Sequence, residues 1–336
     1  MKIVESIIRL PPVALSLLLI AGCGGADSAS SAPPGPETQQ RAAAAATTAQ
    51  HNPDCTAVQP FYWEIGDANQ RLASGSVNAA GDTGAPVYTA STLMNIASAS
   101  KWIYAAYVVQ RQGGVLSDSD VSFLHLTSGY THFSICLPWQ TVAGCVDYLG
   151  NGVYDPSTAG AFYYGGGHMQ KHAEIVGLGP LDNAGLAAEI QSRIGRDIAI
   201  AYSQPQLAAG VVTTADAYGL LLRKMLGGTL LLGRMLGADA VCTNPATCPP
   251  GAALATPIPT AESWHYSLGH WVEDDPAVGD GAFNSAGAFG FYPWIDATRT
   301  WYGIVARRTA GGDNAGYASA RCGRLIRKAW VSGMPQ

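Results

Sequence analysis

The chain has 336 residues, of which 48% are hydrophobic and only 13% charged, with a formal net charge of −5. That length and apolar content suffice for one large or two small globular domains with a buried core. Sparse charge and the lack of any basic run exclude a nucleic-acid partner and a polybasic membrane-surface helix, and favour a small neutral ligand over a phosphate.

In chain order, the first segment reads as an address. Lys2 and Arg9 accompany a short apolar run at residues 13–20, too short for an ordinary transmembrane helix and suited to a signal peptide. The run ends in Ile20-Ala21-Gly22-Cys23, which resembles the bacterial lipobox, whose Cys is lipidated and becomes the first mature residue. The expectation is a signal peptide at 1–22 and a lipid anchor on Cys23. Gly24 stands where an Asp would signal inner-membrane retention, so the expected location is the outer membrane, on its periplasmic or surface face. Residues 24–50 are Ala, Ser, Pro, Gly and Gln with hardly a large apolar side chain, so residues 23–50 read as a flexible tether and 51–336 as the folded domain.

Beyond Cys23 the cysteines are Cys55, Cys136, Cys145, Cys242, Cys248 and Cys322. An even number in an exported chain favours disulfides, although sequence alone does not choose the connectivity. Proximity suggests Cys136 with Cys145 and Cys242 with Cys248, each closing a short loop, which leaves Cys55 with Cys322 to tie the ends of the domain together. No Cys-x-x-Cys occurs, which weakens a soft-ligand metal reading.

Phe61-Tyr62-Trp63-Glu64-Ile65 and residues 71–77 flank a Gly66-Asp67-Ala68-Asn69 turn and predict a β-hairpin. Next comes Ser98-Ala99-Ser100-Lys101. A serine hydroxyl needs a base to become nucleophilic, and residues three apart on a helix are neighbours. Lys101 serves as that base only if burial or nearby positive charge leaves its amine partly deprotonated. Trp102, Ile103, Ala106 and Val109 continue at helical spacing. Helices are predicted over 186–194 and 214–226, the latter opened by Thr213-Thr214-Ala215-Asp216. Strands are predicted at 264–272, 288–295 and 300–307, and a closing helix at 318–331. The fold class is therefore α/β (α+β): an antiparallel sheet built from both termini, flanking helices, and an inserted mainly helical region at roughly 104–260.

Several stretches, in order, resemble the serine β-lactamase-related family, which includes class C β-lactamases, DD-peptidases and family VIII esterases. Thr92 to Lys101 is similar to the approach to its nucleophile, and Gly114-Val115-Leu116-Ser117-Asp118 to its turn after that helix. Leu124-His125-Leu126-Thr127-Ser128-Gly129-Tyr130, Ala209-Gly210-Val211-Val212-Thr213-Thr214-Ala215-Asp216 and Tyr266-Ser267-Leu268-Gly269 resemble further landmarks. The resemblance implies a β-lactamase/transpeptidase-like fold in which Ser98 attacks a carbonyl and Lys101 manages the proton. It places Tyr164 of Phe162-Tyr163-Tyr164-Gly165-Gly166 at the catalytic tyrosine, with Tyr163 as the rival assignment and Gly166 where an Asn commonly contacts substrate. It assigns the oxyanion hole to the backbone N–H groups of Ser98 and Ala288. Ser285-Ala286-Gly287 stands where the family carries Lys-Thr-Gly, so Ser285 and Gly287 are expected to contact substrate without the usual cation. Losing a charge-assisted hydrogen bond forfeits on the order of 1.5–3 kcal/mol, which disfavours carboxylate-bearing β-lactams and peptides unless Arg299 or Arg307 supplies the charge.

The expected activity is an exported serine hydrolase that cleaves carboxylic esters through an acyl-enzyme, with no cofactor, no metal and no partner beyond a small ester or acyl substrate and the membrane reached through the lipid anchor. The alternatives are a DD-peptidase or β-lactamase acting on amides, and a non-catalytic surface lipoprotein that keeps the fold. His168 and His172 have a zinc-compatible spacing but no third ligand nearby. Glu273-Asp274-Asp275 with Asp280 reads as a solvated acidic loop. Phe283, Phe289, Phe291, Tyr292, Trp294 and Trp301 read either as an apolar acyl pocket or as core. No Gly-x-Ser-x-Gly elbow, phosphate loop or dinucleotide fingerprint occurs.

Overall fold

A computed structural model of the chain describes residues 35–79, 81, 84–309 and 314–336. The expected signal peptide and Cys23 lie outside the described residues, and no described helix is long and apolar enough to cross a membrane.

Among the described residues the main sheet has eight strands, in the spatial order Arg71–Val77, Phe61–Gly66, Tyr302–Ala306, Tyr292–Ile295, Ala282–Asn284, His270–Glu273, His265–Ser267 and Val241–Cys242. All neighbours are antiparallel, so the sheet is assembled from both ends of the chain as expected. The hairpin at 61–77 forms because Asp67 closes its turn, its carboxylate accepting the N–H groups of Asn69 and Gln70, both at 2.8 Å. Phe61–Gly66 is buried along its whole length, whereas its partner Arg71–Val77 is the partly exposed edge.

Helices cover both faces. Gly323 of the C-terminal helix Ala315–Ser332 lies against Val305 and Tyr292, and Gly219 of helix Ala215–Leu226 lies against Tyr302. Residues 302 and 305 point to opposite sides of one strand, so the two helices sandwich the sheet. Thr214 starts its helix as expected, its Oγ1 accepting the Ala217 N–H at 3.2 Å. Between hairpin and returning strands the chain is mainly helical, with helices Ser100–Arg111, Gly167–Ala173 and Asn183–Ile194 among others.

Four expectations are corrected. Residues 36–51, read as part of a flexible tether, form the helix Pro36–His51, which packs on the C-terminal helix. Large apolar residues are not needed here: alanine has the highest helix propensity, and Ala44, Ala45, Thr48 and Ala49 are small enough to bury in close contact. Arg41 Nη1 donates to the carbonyls of Trp330 and Val331, both at 3.0 Å, groups that the end of the C-terminal helix leaves without intrahelical partners. The strand expected at 264–272 is two short strands, because the Leu268-Gly269 turn folds them into a hairpin with Gly269 at φ +69°. The strand expected at 288–295 begins only at Tyr292, since residues 287–291 close a turn through Gly287 N–H to the Phe291 carbonyl and Gly290 N–H to the Gly287 carbonyl, both at 2.8 Å.

The acidic stretch is not a solvated loop either. Glu273 is fully buried and accepts from Arg324 at 3.0 Å and Arg327 at 3.2 Å, while Asp280 accepts from Arg327 at 2.8 Å. In the aromatic cluster, Phe283, Phe291, Tyr292 and Trp294 are core. Disulfides join Cys55 to Cys322, Cys136 to Cys145 and Cys242 to Cys248, the pairing that proximity suggested.

Candidate active site

The segment that presents Ser98 is braced on every side. Met94–Asn95 pairs with Val211–Thr213, and Ile96 N–H continues the ladder to the Val211 carbonyl at 3.1 Å. The chain then turns sharply. Ala97 adopts φ +44°, a left-handed conformation unusual for a residue with a side chain, and the Asn95 carboxamide oxygen accepts its N–H at 2.8 Å. Ser98 sits in the single 3-10 turn Ala97–Ala99, immediately ahead of helix Ser100–Arg111 and half-buried. Ser100 ties the turn down: its hydroxyl donates to the Ala97 carbonyl at 2.7 Å and accepts the Val211 N–H at 3.2 Å.

One helical turn on, Lys101 is buried with Nζ 3.0 Å from Ser98 Oγ and 3.2 Å from the Ala208 carbonyl. Among the described residues no carboxylate pairs with it, and burial pushes its ammonium down from 10.5 to about 7. Near neutrality a substantial fraction is therefore free amine, able to accept the Ser98 proton.

Tyr164 completes the group. Its ring lies beneath Lys101, the ammonium nitrogen 4.5 Å from the ring centroid. The Trp271 ring stacks on it at 5.2 Å, and Ser98 and Trp271 are near enough to its phenol to favour the ionised form slightly. Burial pushes the phenol up to about 12, so it stays protonated across the neutral range. Tyr163 has its N–H on the Leu126 carbonyl at 3.0 Å and its ring beside Gly165, and it does not line the cavity that Ser98 and Tyr164 share. His168 holds this loop in place: its Nε2 donates to the Tyr163 carbonyl at 3.0 Å, which leaves Nδ1 to accept from Ser128 Oγ at 2.8 Å. Burial lowers His168 to about 4, so the ring is neutral. His172 is likewise occupied, by Tyr104 at 2.8 Å and Asp120 at 3.0 Å, and the two rings do not share a ligand site.

A cavity of about 50 Å³ opens over Ser98. Tyr164, Trp271 and Ala288 border it, as do Pro257, Ile258, Ala286, Gly316 and Tyr317. None of these side chains is charged. Ala288, to which the resemblance assigns the second oxyanion N–H, borders the same cavity as Ser98. Gly287 lies against the nucleophile segment: a Cβ there would stand 2.1 Å from the Ile96 carbonyl, so the close approach that requires glycine is made by backbone. The Ser285 hydroxyl donates to the Ser98 carbonyl at 3.1 Å and is buried. Gly166 lies under the Phe133 ring, outside the cavity lining. Arg307 donates to Ser319 and the Ala315 carbonyl, and Arg299 to the Leu236 carbonyl, so neither lends the cavity a charge.

Sequence reasoning missed the cavity walls at Pro257, Ile258, Trp271, Gly316 and Tyr317. Only Trp271 left a signal: a two-residue turn after Ser267 places it opposite Tyr266, on the face of the sheet that carries that landmark.

No known family's sequence profile and no curated protein matches the chain. Solved structures do. D-amino acid amidase from Ochrobactrum anthropi SV3 superposes with a TM-score of 0.61 at 11% identity, covering 87% of this chain and 98% of that one. Simvastatin synthase (LovD) from Aspergillus terreus gives 0.54 at 13%, covering 85% and 99%, and a β-lactamase from Mycobacterium bovis gives 0.53 at 14%, covering 82% and 96%. The fold is that of the serine β-lactamase-related proteins, β-lactamase/transpeptidase-like, as the ordered landmarks implied.

Proposed function

We propose that the protein is a serine hydrolase that cleaves uncharged carboxylic esters through an acyl-enzyme on Ser98. The observation that carries this reading is the 3.0 Å contact between Ser98 Oγ and a buried Lys101 amine poised near neutrality. In acylation, Lys101 Nζ takes the Ser98 proton as Oγ bonds to the carbonyl carbon, and the resulting oxyanion is stabilised by the N–H groups of Ser98 and Ala288. The carbon–oxygen bond to the alcohol then breaks. The departing alkoxide takes a proton from the Tyr164 phenol, which is restored from the Lys101 ammonium. Water, losing its proton to the same pair, hydrolyses the acyl-enzyme and regenerates Ser98.

The neutral cavity favours esters over substrates that carry a carboxylate. The amidase and the β-lactamase with this fold keep amides as the second reading, and a D-alanyl peptide and nitrocefin test it. An exported, lipid-anchored location through Cys23 is part of the proposal, supported by the three disulfides. Purified protein is expected to hydrolyse p-nitrophenyl acetate, and Ser98→Ala to lower turnover at least about a thousandfold. Ester turnover that survives this substitution contradicts the mechanism.

A further inference from the structure

His168 carries no step of the proton transfers described above and does not border the cavity, yet it is fully buried with both ring nitrogens engaged. The Tyr163 carbonyl can only accept, so Nε2, at 3.0 Å, carries the ring proton, and Nδ1 accepts from Ser128 Oγ at 2.8 Å. That carbonyl belongs to the peptide unit that leads into Tyr164. The N–H of the same unit, on Tyr164, donates to the Ala255 carbonyl at 3.0 Å. The unit is thus held at both ends, by His168 on one side and by strand Ala253–Ala255 on the other.

His168 is itself firmly seated. Gly167, which starts its helix, packs so closely on the neighbouring segment that a Cβ there would stand 2.5 Å from the Tyr130 carbonyl oxygen and 2.9 Å from that of His132. Ser128 lies just ahead of those residues, so the imidazole spans from that segment to the backbone of the tyrosine loop. Fixing the peptide unit fixes the direction in which Tyr164 leaves the backbone, and with it the ring that lies 4.5 Å from Lys101 Nζ. Burial holds the imidazole at about 4, so near neutrality it adds no second positive charge beside Lys101. Bulk alone does not supply this hold, because the carbonyl needs a donor.

We propose that His168, bridging Ser128 and the Tyr163 carbonyl, is a positioning residue that sets Tyr164 for its proton transfers, an inference that rests on the acyl-enzyme reading of Ser98 with Tyr164 as its relay. The test is a double-mutant cycle on kcat and KM for p-nitrophenyl acetate, with His168→Leu and His168→Gln each made in the wild type and in Tyr164→Phe. Leucine fills space without bonding, whereas glutamine keeps an N–H for the carbonyl. A misplacement of about 1 Å near the reacting atoms costs on the order of a hundredfold in rate. His168→Leu is therefore expected to lower kcat about a hundredfold with KM changed less than about threefold, and His168→Gln to restore kcat to within about tenfold of wild type. In the Tyr164→Phe background, His168→Leu is expected to lower the remaining kcat less than about threefold, because the group it positions is gone.

Equal fold losses in the two backgrounds overturn the proposal, since the histidine then acts on the fold or on another group. So does a folded His168→Leu protein, confirmed by its melting curve, whose kcat is unchanged or whose loss lies wholly in KM, and so does a glutamine variant no better than leucine. If the leucine variant does not fold, His168→Asn, whose shorter side chain stops short of the Tyr163 carbonyl, makes the same comparison. Turnover that persists in Ser98→Ala, none on any ester, or a Tyr164→Phe variant as active as wild type removes the underlying reading and the proposal with it, a failure separable from a Ser98- and Tyr164-dependent enzyme in which the His168 loss is simply additive.

Discussion

Ser98 and Lys101 divide the work in a way their neighbours dictate. Among the described residues Lys101 has a serine hydroxyl and a carbonyl as partners and no carboxylate, and burial lowers its proton affinity to about 7. Tyr164 is pushed the other way, to about 12, which suits the proposed division of the lysine as base and the tyrosine as a neutral relay. The pH dependence follows. Below about 7 the amine is protonated and cannot accept from Ser98, so kcat/KM is expected to rise about tenfold per pH unit up to that value and level off above it, with no alkaline loss before about pH 10. A steady-state profile from pH 5 to 9 checks this, and a flat profile contradicts it. Stability shares the sign. The folded-state value lies below the ordinary 10.5, so between about 7 and 10.5 the unfolded chain binds a proton that the folded chain does not, and this lysine makes folding more favourable as pH rises through that window.

Among the elements, the two terminal helices do the least expected work. The alanine-rich helix Pro36–His51 looks like a linker because it has few large apolar residues, yet it buries a face of Ala44, Ala45, Thr48 and Ala49 and caps the C-terminal helix through Arg41. At roughly 0.8 kcal/mol for each of the four buried methyl-sized groups, plus about 1 kcal/mol for the Arg41 hydrogen bonds, a chain starting at Asn52 is expected to be up to about 4 kcal/mol less stable than one starting at Gly35. Urea denaturation measures the difference, and equal midpoints contradict it. The hairpin at 61–77 and helix Ala215–Leu226 were legible because turn and cap chemistry is local: Asp67 and Thr214 announce themselves. The partners of Glu273 and Asp280 were not, because Arg324 and Arg327 lie far along the chain and only the folded sheet brings them together. The shortened strand at 292–295 was obscured for a related reason. Gly287 and Gly290 carry a turn whose purpose, contact with Ile96, is long-range.

At the scale of the molecule, the site is a meeting of remote segments. Ser98 and Lys101 come from one helix entry, Tyr164 from the insertion, Trp271 from the sheet, Ala288 from the turn ahead of strand Tyr292–Ile295, and Tyr317 from the C-terminal helix. Ser98 and Lys101 could be read because three residues is one helical turn, and Tyr164 only through the resemblance carried by its motif. The walls could not, because nothing local marks a residue that closes a cavity over a distant serine. The Cys55–Cys322 bridge ties the segment ahead of the first strand to the helix that carries Tyr317. The central claim is that this assembly makes Ser98 a nucleophile. Labelling the purified protein with a fluorophosphonate probe, followed by peptide mapping, tests it most directly. The expected result is a single adduct on Ser98, absent in Ser98→Ala and strongly slowed in Lys101→Ala; ester hydrolysis with Ser98 unlabelled, or an adduct on another residue that abolishes turnover, would contradict it.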